Sequence, residues 1–156
     1  MTPEQRLKSL GIVLPAAAAP VANYAPFMRC GSLLFISGQV AFGPDGKIDQ
    51  RHKGKLGVEI FNEAGLEAAR LCAINVLAQT KAALGSLDKV TRCVRLGGFI
   101  NSAPDFQALA AIMNGASDLM VAVFGEVGRH ARSTVGVAQL PLDSAVEVEA
   151  IFEVEE

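Results

Sequence analysis

Blocks of helical periodicity set between strand-like blocks constrain the fold of this chain more than any other feature. Over residues 59–84 apolar side chains recur at helical spacing, and Gly85 then stands where a glycine commonly ends a helix. The buried stripe that we expect on this helix consists of Leu66, Ala69, Ala73, Val76, Leu77 and Leu84. Residues 90–100 follow; they are rich in valine and bounded by turn residues, and so predict a strand.

A second long helix is expected between that strand and the C-terminal region. Ser102 and Asp105 predict a capped helix start, and the apolar pattern continues to about Phe124, after which glycines end it. The pair Asn114-Gly115 predicts a kink in the middle of this helix.

Strand pairs are predicted at both ends of the chain. Residues 24–42 carry two strand patterns on either side of the turn pair Gly31-Ser32. Residues 132–140 and 145–154 alternate between apolar and polar side chains. Because only a short turn separates these last two strands, we expect them to pair as a hairpin.

The resulting element order is a short helix over residues 3–10 followed by β-β-α-β-α-β-β. Long helices between strands and hairpins at the ends predict an α+β fold, in which a mixed sheet carries both long helices on one face. The other face of such a sheet has no covering layer although it holds apolar side chains. We therefore expect a partner subunit to cover it.

Composition and charge exclude several classes of function. The formal net charge is −2, and the densest basic run, Arg51-His52-Lys53-Gly54-Lys55, predicts a solvated loop rather than a nucleic-acid site. Three cysteines without a CxxC pair argue against a disulfide framework or a zinc site, and two histidines alone cannot build a metal site. Cys72 and Cys93 lie in apolar patterns, which predicts core filling rather than catalysis. No apolar run approaches the roughly 20 residues of a membrane span. We therefore expect a cytoplasmic protein without a membrane partner or a metal site.

Three segments carry a resemblance to a known family. They are Ser37-Gly38-Gln39 after an apolar strand, Gly85-Ser86-Leu87-Asp88-Lys89-Val90 at a helix-to-strand junction, and His-Ala-Arg-Ser-Thr-Val-Gly-Val-Ala-Gln-Leu-Pro at 130–141, followed by residues 146–151. In that order they resemble the reactive intermediate deaminases, the Rid or YjgF-type family, over residues 24–154. The resemblance divides the chain into an N-terminal extension, 1–23, and a Rid-like domain, 24–156.

The resemblance implies a chorismate mutase-like domain that assembles as a homotrimer with clefts between its subunits. It further implies hydrolysis of 2-aminoacrylate and related 2-imino acids to 2-keto acids and ammonia, without cofactor or metal. Arg132 matches the arginine that grips the substrate carboxylate, and Glu147 matches the acid that places the water. His130 stands where the family usually has proline, and one further position matches only after a short insertion. The substrate-binding positions implied besides Arg132 are Tyr24, Ser37, Gly38, Thr134 and, with that insertion, Asn114.

The residue types suit this chemistry. A guanidinium forms two parallel charge-assisted hydrogen bonds with a flat carboxylate, and a carboxylate can accept a proton from the attacking water and later return it. Each residue also has a purely structural interpretation. Arg132 could sit in a surface ion pair, Glu147 could be a solvent-facing strand residue beside Glu149, Tyr24 could serve packing and Asn114 could mark a helix break.

Spacing along the expected C-terminal hairpin adds a constraint. If the turn lies near residues 142–143, Arg132 is opposite Val154 and about 20 Å from Glu147 at strand rise. We therefore expect different subunits to supply the two side chains. Two alternatives to a deaminase stay open: a non-catalytic, regulatory trimer that binds small carboxylates, and an endoribonuclease. The acidic balance and the lack of a stacking aromatic platform disfavour the second.

Overall fold

A computed structural model describes residues 1–20 and 22–156 and contains one sheet with helices on one side. The helices are α1 (Pro3–Ser9), α2 (Asn62–Leu84) and α3 (Leu109–Phe124). The strands are β1 (Phe27–Cys30), β2 (Leu33–Val40), β3 (Val90–Asn101), β4 (Ala131–Val137) and β5 (Val146–Val154). Short 3₁₀ turns occupy Gln50–His52, Leu87–Lys89, Gly125–Gly128 and Pro141–Asp143. The predicted order of elements is confirmed.

The sheet is mixed, as predicted, with strand order β1-β2-β5-β3-β4. All neighbouring strands run antiparallel except β3 and β4, which are parallel. Both long helices pack on the same face of the sheet and against each other. The α+β class and the placement of α2 and α3 on one face are therefore confirmed.

The expected C-terminal hairpin is wrong. β3 lies between β4 and β5, so these two strands do not pair with each other. β3, α3 and β4 form a β-α-β unit that leaves β4 parallel at the sheet edge. The chain then crosses β3 through the turn Pro141–Asp143 before β5 inserts beside β2. The local alternation of side chains identified the strands but carries no information about which strands are neighbours.

The start and the middle of α3 also differ from expectation. The helix begins at Leu109 rather than near Ser102, because the intervening backbone extends the sheet: Ala103 N–H donates to Leu56 O at 2.9 Å. The expected kink at Asn114-Gly115 is absent, and α3 is continuous. Instead, a side chain at Gly115 would overlap the carbonyl of Leu66 on α2, so this glycine lets the two helices approach closely.

The core is built by the apolar faces of α2 and α3 against the sheet. The prediction that Leu66 belongs to the buried stripe of α2 is wrong, because this residue is 37% exposed. The positions confirmed as buried are Ala69, Ala73, Val76, Leu77 and Leu84. Gly85 ends α2 with a left-handed φ of 82°, as its position predicted.

The expectation that no apolar run approaches the length of a membrane span is wrong. Leu109–Gly128, which is α3 and the turn after it, spans 20 residues with mean hydropathy 1.3 and meets the length and composition of a membrane span. One face of this helix packs in the core instead. Its buried residues are Ile112, Met113, Ala116, Leu119, Met120, Val123 and Phe124. This is the pattern of a central core helix.

The N-terminal residues lie against the helical layer. Thr2 caps α1, and Leu7 is buried in the same core as α2 and α3. Glu4 accepts hydrogen bonds from Lys81 Nζ at 2.9 Å and from Leu87 N–H at 3.0 Å. Further along, the amide of the buried Gln79 donates to Ala18 O at 2.7 Å. Residues 1–20 are thus attached at several points along α2 and the turn after it.

The cysteines and the basic run give one confirmation and one correction. Cys72 and Cys93 are buried core residues, and burial raises the pKa of Cys93 to about 12 and that of Cys72 well above its usual range. The basic run is not a simple solvated loop, because His52 is only 3% exposed and its Nε2 lies 3.0 Å from a carboxylate oxygen of Glu67. Lys55 is bonded to Asn101 and to the backbone.

Candidate active site

Arg132 projects from the edge strand β4 toward α3. It pairs with Leu96, a fully buried residue that faces the helices, and paired residues of neighbouring strands face the same side. The guanidinium Nη1 donates to Asn114 Oδ1 at 2.9 Å and to Ser117 Oγ at 3.1 Å, and Nη2 donates to Ala110 O at 3.2 Å. Asn114 and Ser117 are therefore side chains that orient the arginine.

All three acceptors that hold Arg132 are neutral. Among residues 1–20 and 22–156, no carboxylate lies within ion-pair distance of its guanidinium. A guanidinium has five N–H donors, and three are used here, which leaves Nε–H and one Nη2–H without an acceptor in the described part of the chain. The arginine is an oriented cation with two donors available, which is what a carboxylate needs.

Two further residues adjoin this arginine. Ser117 Oγ lies 2.8 Å from His130 Nε2, and His130 Nδ1 lies 2.7 Å from Gly128 O. Burial lowers the pKa of His130, the hydrogen bond to Gly128 O opposes that shift, and the charge of Arg132 adds to it. Thr134 follows Arg132 by two residues on the same strand face, and its buried Oγ1 has no partner among the described residues. We call Arg132, Asn114, Ser117, His130 and Thr134 the arginine half-site.

Sequence reasoning missed Ser117. A serine in a helix is common and carries no signal by itself. The available clue was its spacing of three residues from Asn114, which places both side chains on one helix face. The structure brings both to the guanidinium of Arg132.

Glu147 points away from the helices. Its neighbours on β5, Val146 and Val148, are fully buried in the core, so Glu147 lies on the open face of the sheet. Its side chain is half-buried, and burial raises the pKa of its carboxyl, with repulsion from Glu149 adding to the shift. Within the described residues its carboxylate accepts no hydrogen bond from a side chain.

Tyr24, Ser37 and Gly38 surround Glu147. Together with Ala22, Ile36, Pro141 and Glu149 these residues line a single concavity on the open face. The Ser37 hydroxyl donates to Ala25 O at 2.7 Å, so its proton is already used. We call Glu147, Tyr24, Ser37 and Gly38 the glutamate half-site.

Gly38 is required by the position of the Glu147 side chain. A Cβ at Gly38 would lie 2.9 Å from Glu147 Cδ and closer still to its Oε1. The pairing of β2 with β5 slips between Ile36 and Gln39, a local irregularity that turns this stretch toward β5. The absence of a side chain at Gly38 is therefore what leaves room for the carboxylate.

A second concavity shares Glu147, Tyr24 and Gly38 and is closed by the N-terminal residues 18–20. Its volume is about 50 Å³. Gln79, which is 2% exposed, holds this wall in place through its hydrogen bond to Ala18 O. The alanine-rich stretch at residues 16–20 thus contributes to the surroundings of Glu147.

The two half-sites lie on opposite faces of the sheet. Arg132 pairs with Leu96, whereas Glu147 pairs with Phe99, and residues three apart on a regular strand face opposite sides. The sequence argument that separated Arg132 from Glu147 assumed a hairpin that does not exist. The separation within one chain nevertheless holds, because β3 stands between the two strands and the side chains point in opposite directions.

Apolar side chains surround the glutamate half-site on the open face. Met28, Phe35 and Val135 are exposed large hydrophobic residues there, and Phe99 and Ile151 are half-buried beside them. The apolar open face that the strand pattern predicted is therefore present. Such a surface is typical of an interface with another protein chain.

Comparisons with known proteins agree with this architecture. Residues 4–154 match a family model described as "YjgF/chorismate_mutase-like, putative endoribonuclease". Protein TCP17 of Trypanosoma cruzi is 50% identical over 148 residues, which cover 94% of this chain and 91% of the relative. A 2-iminobutanoate/2-iminopropanoate deaminase of Dermatophagoides farinae is 28% identical, over 92% of this chain and 95% of the relative. The crystal structure of a protein of unknown function from Agrobacterium tumefaciens superposes with a TM-score of 0.90 at 46% identity, over 98% of this chain and 92% of that one.

Proposed function

Since the chain belongs to the YjgF/chorismate mutase-like family, we propose that it hydrolyses small 2-imino and 2-enamino acids to 2-keto acids and ammonia. One observation supports this proposal more than any other. Arg132 is held by three neutral acceptors and keeps two donors for an anion. A relative over nearly the whole chain bears the name of a deaminase for 2-iminobutanoate and 2-iminopropanoate, both of which carry a carboxylate next to the imine.

The proposed reaction uses one group from each half-site. Arg132 binds the substrate carboxylate and so fixes the adjacent imine carbon. Glu147 accepts a proton from a water molecule as the water oxygen bonds to that carbon and the C=N electron pair moves to nitrogen, which takes a proton from solvent. The tetrahedral carbinolamine then expels ammonia and forms the C=O bond, with Glu147 returning its proton to the leaving nitrogen and the hydroxyl proton passing to solvent.

The raised pKa of Glu147 suits this exchange. Because burial moves the pKa of the Glu147 carboxyl upward, its ionised form is a stronger base than an exposed glutamate, and its protonated form persists to a higher pH and can return the proton. The uncatalysed hydrolysis is already quick, so positioning and a modest base are sufficient. Neither a metal nor a cofactor enters the proposed steps.

The proposed site is shared between copies of the chain, assembled as a homotrimer. The half-sites cannot meet in one copy, because they lie on opposite sheet faces. The apolar open face around Glu147 supports burial of that half-site against a second copy. A cytoplasmic location is part of the same proposal.

Ammonia release from freshly generated imino acids tests the proposed function. An amino-acid oxidase produces the imine continuously, and the rate of keto-acid formation is compared with and without the protein, over substrates with one to six carbons in the side chain. We expect acceleration that is lost in Arg132→Ala and in Glu147→Gln. A rate equal to that without protein, for every side chain tried, would contradict the proposal.

A non-catalytic carboxylate-binding trimer is the alternative that the same arginine favours. Binding alone requires Arg132, whereas turnover also requires Glu147, so Glu147→Gln separates the two. A protein that binds pyruvate equally well with and without Glu147, and never accelerates imine hydrolysis, would be a binder.

The matched family description also names an endoribonuclease. The net charge of −2 and the single cation of the arginine half-site give little for an RNA backbone to bind.

A further inference from the structure

The hydrogen bonds beside Arg132 have an assignable direction. Gly128 O is a carbonyl oxygen and can only accept, and it lies 2.7 Å from His130 Nδ1. His130 therefore carries a proton on Nδ1. The imidazole is about half-buried and faces the positive charge of Arg132, two conditions that favour its neutral form.

A neutral imidazole protonated on Nδ1 has a lone pair on Nε2. Ser117 Oγ lies 2.8 Å from that nitrogen, so the serine hydroxyl donates its single proton to His130. The oxygen of Ser117 then offers only lone pairs in other directions. Arg132 Nη1, 3.1 Å away, donates to one of them.

The chain of bonds runs from Arg132 to Ser117, from Ser117 to His130 and from His130 to Gly128 O. Without an acceptor at His130, the Ser117 hydroxyl could rotate to carbonyls of its own helix, and its oxygen would no longer be fixed for the arginine. Arginine side chains have many rotamers of similar energy, and Arg132 stands on an edge strand. Its orientation therefore depends on such acceptors.

We propose that His130 is a positioning residue that acts through Ser117 to orient the Arg132 guanidinium for binding the carboxylate of a small keto or imino acid. The identity of the anion rests on the proposed function. The positioning role itself depends only on the bonds between these three side chains, and no contact between His130 and the substrate is required.

Two substitutions at His130 form a matched pair. The terminal amide of glutamine reaches about as far as Nε2, so in His130→Gln its oxygen can accept from Ser117. The amide of asparagine reaches only about as far as Nδ1, so His130→Asn keeps the bond to Gly128 O and leaves Ser117 without an acceptor. Ser117→Ala removes the link itself in a residue type that favours helix.

Pyruvate affinity, measured by calorimetry on the intact protein, and the steady-state constants for imine hydrolysis are the two readouts. We expect His130→Asn and Ser117→Ala each to raise the Kd for pyruvate and the KM roughly 5- to 20-fold, because a hydrogen bond to a charged group is weakened, with kcat within about twofold. His130→Gln should stay within about threefold of the parent protein. Arg129→Gln, which removes a nearby exposed cation paired with Glu126, serves as the control and should change neither constant.

A double variant tests whether His130 acts through the arginine. Combining His130→Asn with Arg132→Ala should cost no more affinity than Arg132→Ala alone. Full additivity, equal losses in the asparagine and glutamine variants, or unchanged affinity in Ser117→Ala would each overturn the inference, as would a parent protein that does not bind pyruvate. If the parent binds pyruvate and His130→Asn weakens that binding, yet no imine is hydrolysed, the proposed function fails and the positioning role stands.

Discussion

The arginine half-site and the glutamate half-site are organised in opposite ways. The hydrogen bonds that Arg132 makes within the described residues go to neutral acceptors, and those acceptors belong to α3, a core helix. Around Glu147 the described residues provide no such set of bonds; the side chain is accommodated by the missing side chain of Gly38 and by burial on the open face. One half is built to hold a charge in a fixed orientation, and the other is built to hold a carboxyl whose charge is easily neutralised.

Under the proposed function, that difference assigns binding to one half-site and proton transfer to the other. A rigid cation suits a substrate group that keeps its charge throughout the reaction, namely the carboxylate. A half-buried carboxyl with a raised pKa suits a group that takes up and releases a proton. The same division implies that damage to the two half-sites should have different consequences for affinity, rate and stability.

The largest effect is expected at Arg132. Arg132→Ala should lower kcat/KM for imine hydrolysis on the order of 100-fold, because a charge-assisted pair of about 2–4 kcal/mol is lost. Arg132→Lys should retain only a small part of the activity, since lysine holds the charge without fixing the angle. Steady-state kinetics measures both. Full activity in the alanine variant would remove the basis for assigning binding to this half-site.

The second largest effect is expected for Glu147→Gln, which should change kcat rather than substrate affinity. Loss of the base should lower kcat roughly 10- to 100-fold while the affinity for pyruvate stays close to that of the parent. In the parent, kcat/KM should fall with decreasing pH as Glu147 becomes protonated, at a higher pH than an ordinary glutamate would give, because its pKa is raised. An unchanged kcat in the glutamine variant would show that the half-site does no proton transfer.

Gly38→Ala should have a smaller effect through displacement of Glu147. The new methyl group would overlap the Glu147 carboxylate and force it to move, and we expect a loss of about 10-fold in kcat with little change in KM. Gly43→Ala is the matched control, because a Cβ there makes only ordinary contacts, 3.4 Å from the Asp45 side chain. Equal losses in both variants would point to a general effect on β2 and the segment after it rather than to displacement of Glu147.

The smallest effect is on stability. The folded-state pKa of Glu147 is raised, so the folded protein binds more protons than the unfolded chain between the unfolded and folded pKa values, and stability falls as pH rises through that range. Glu147→Gln should therefore melt at a slightly higher temperature than the parent at pH 7, and the gap should close on acidification. A glutamine variant that is less stable at pH 7 would mean that Glu147 has a stabilising ionic partner.

How much of this could be predicted from the sequence differs between fold and site. The element order followed from hydrophobic periodicity, because the change from helical to alternating spacing is local. The pairing of the strands could not be predicted in this way. β4 and β5 alternate like the strands of a hairpin, yet β3 lies between them, and no local sequence pattern shows this. The start of α3 was misplaced because Ser102 resembles a cap, while the backbone beside it bonds to Leu56.

At the candidate site, the C-terminal run predicted Arg132 and Glu147 as the central pair. Their supporting residues were harder to find. Ser117 and the N-terminal wall at Ala18 become visible only when the packing of α3 and α2 is known. Asn114 was expected to mark either a helix break or a pocket, and it instead sits in an unbroken helix and accepts from Arg132.

The central claim is that the two half-sites belong to different copies of the chain, and a mixing experiment tests it most directly. Arg132→Ala and Glu147→Gln proteins, each inactive alone, are combined under conditions in which a mass-tagged parent shows subunit exchange. In random mixed trimers about one quarter of the interfaces would join an intact arginine to an intact glutamate, so activity should return to about that fraction of the parent value. If exchange occurs and no activity returns, each chain holds its own complete site and the account is wrong.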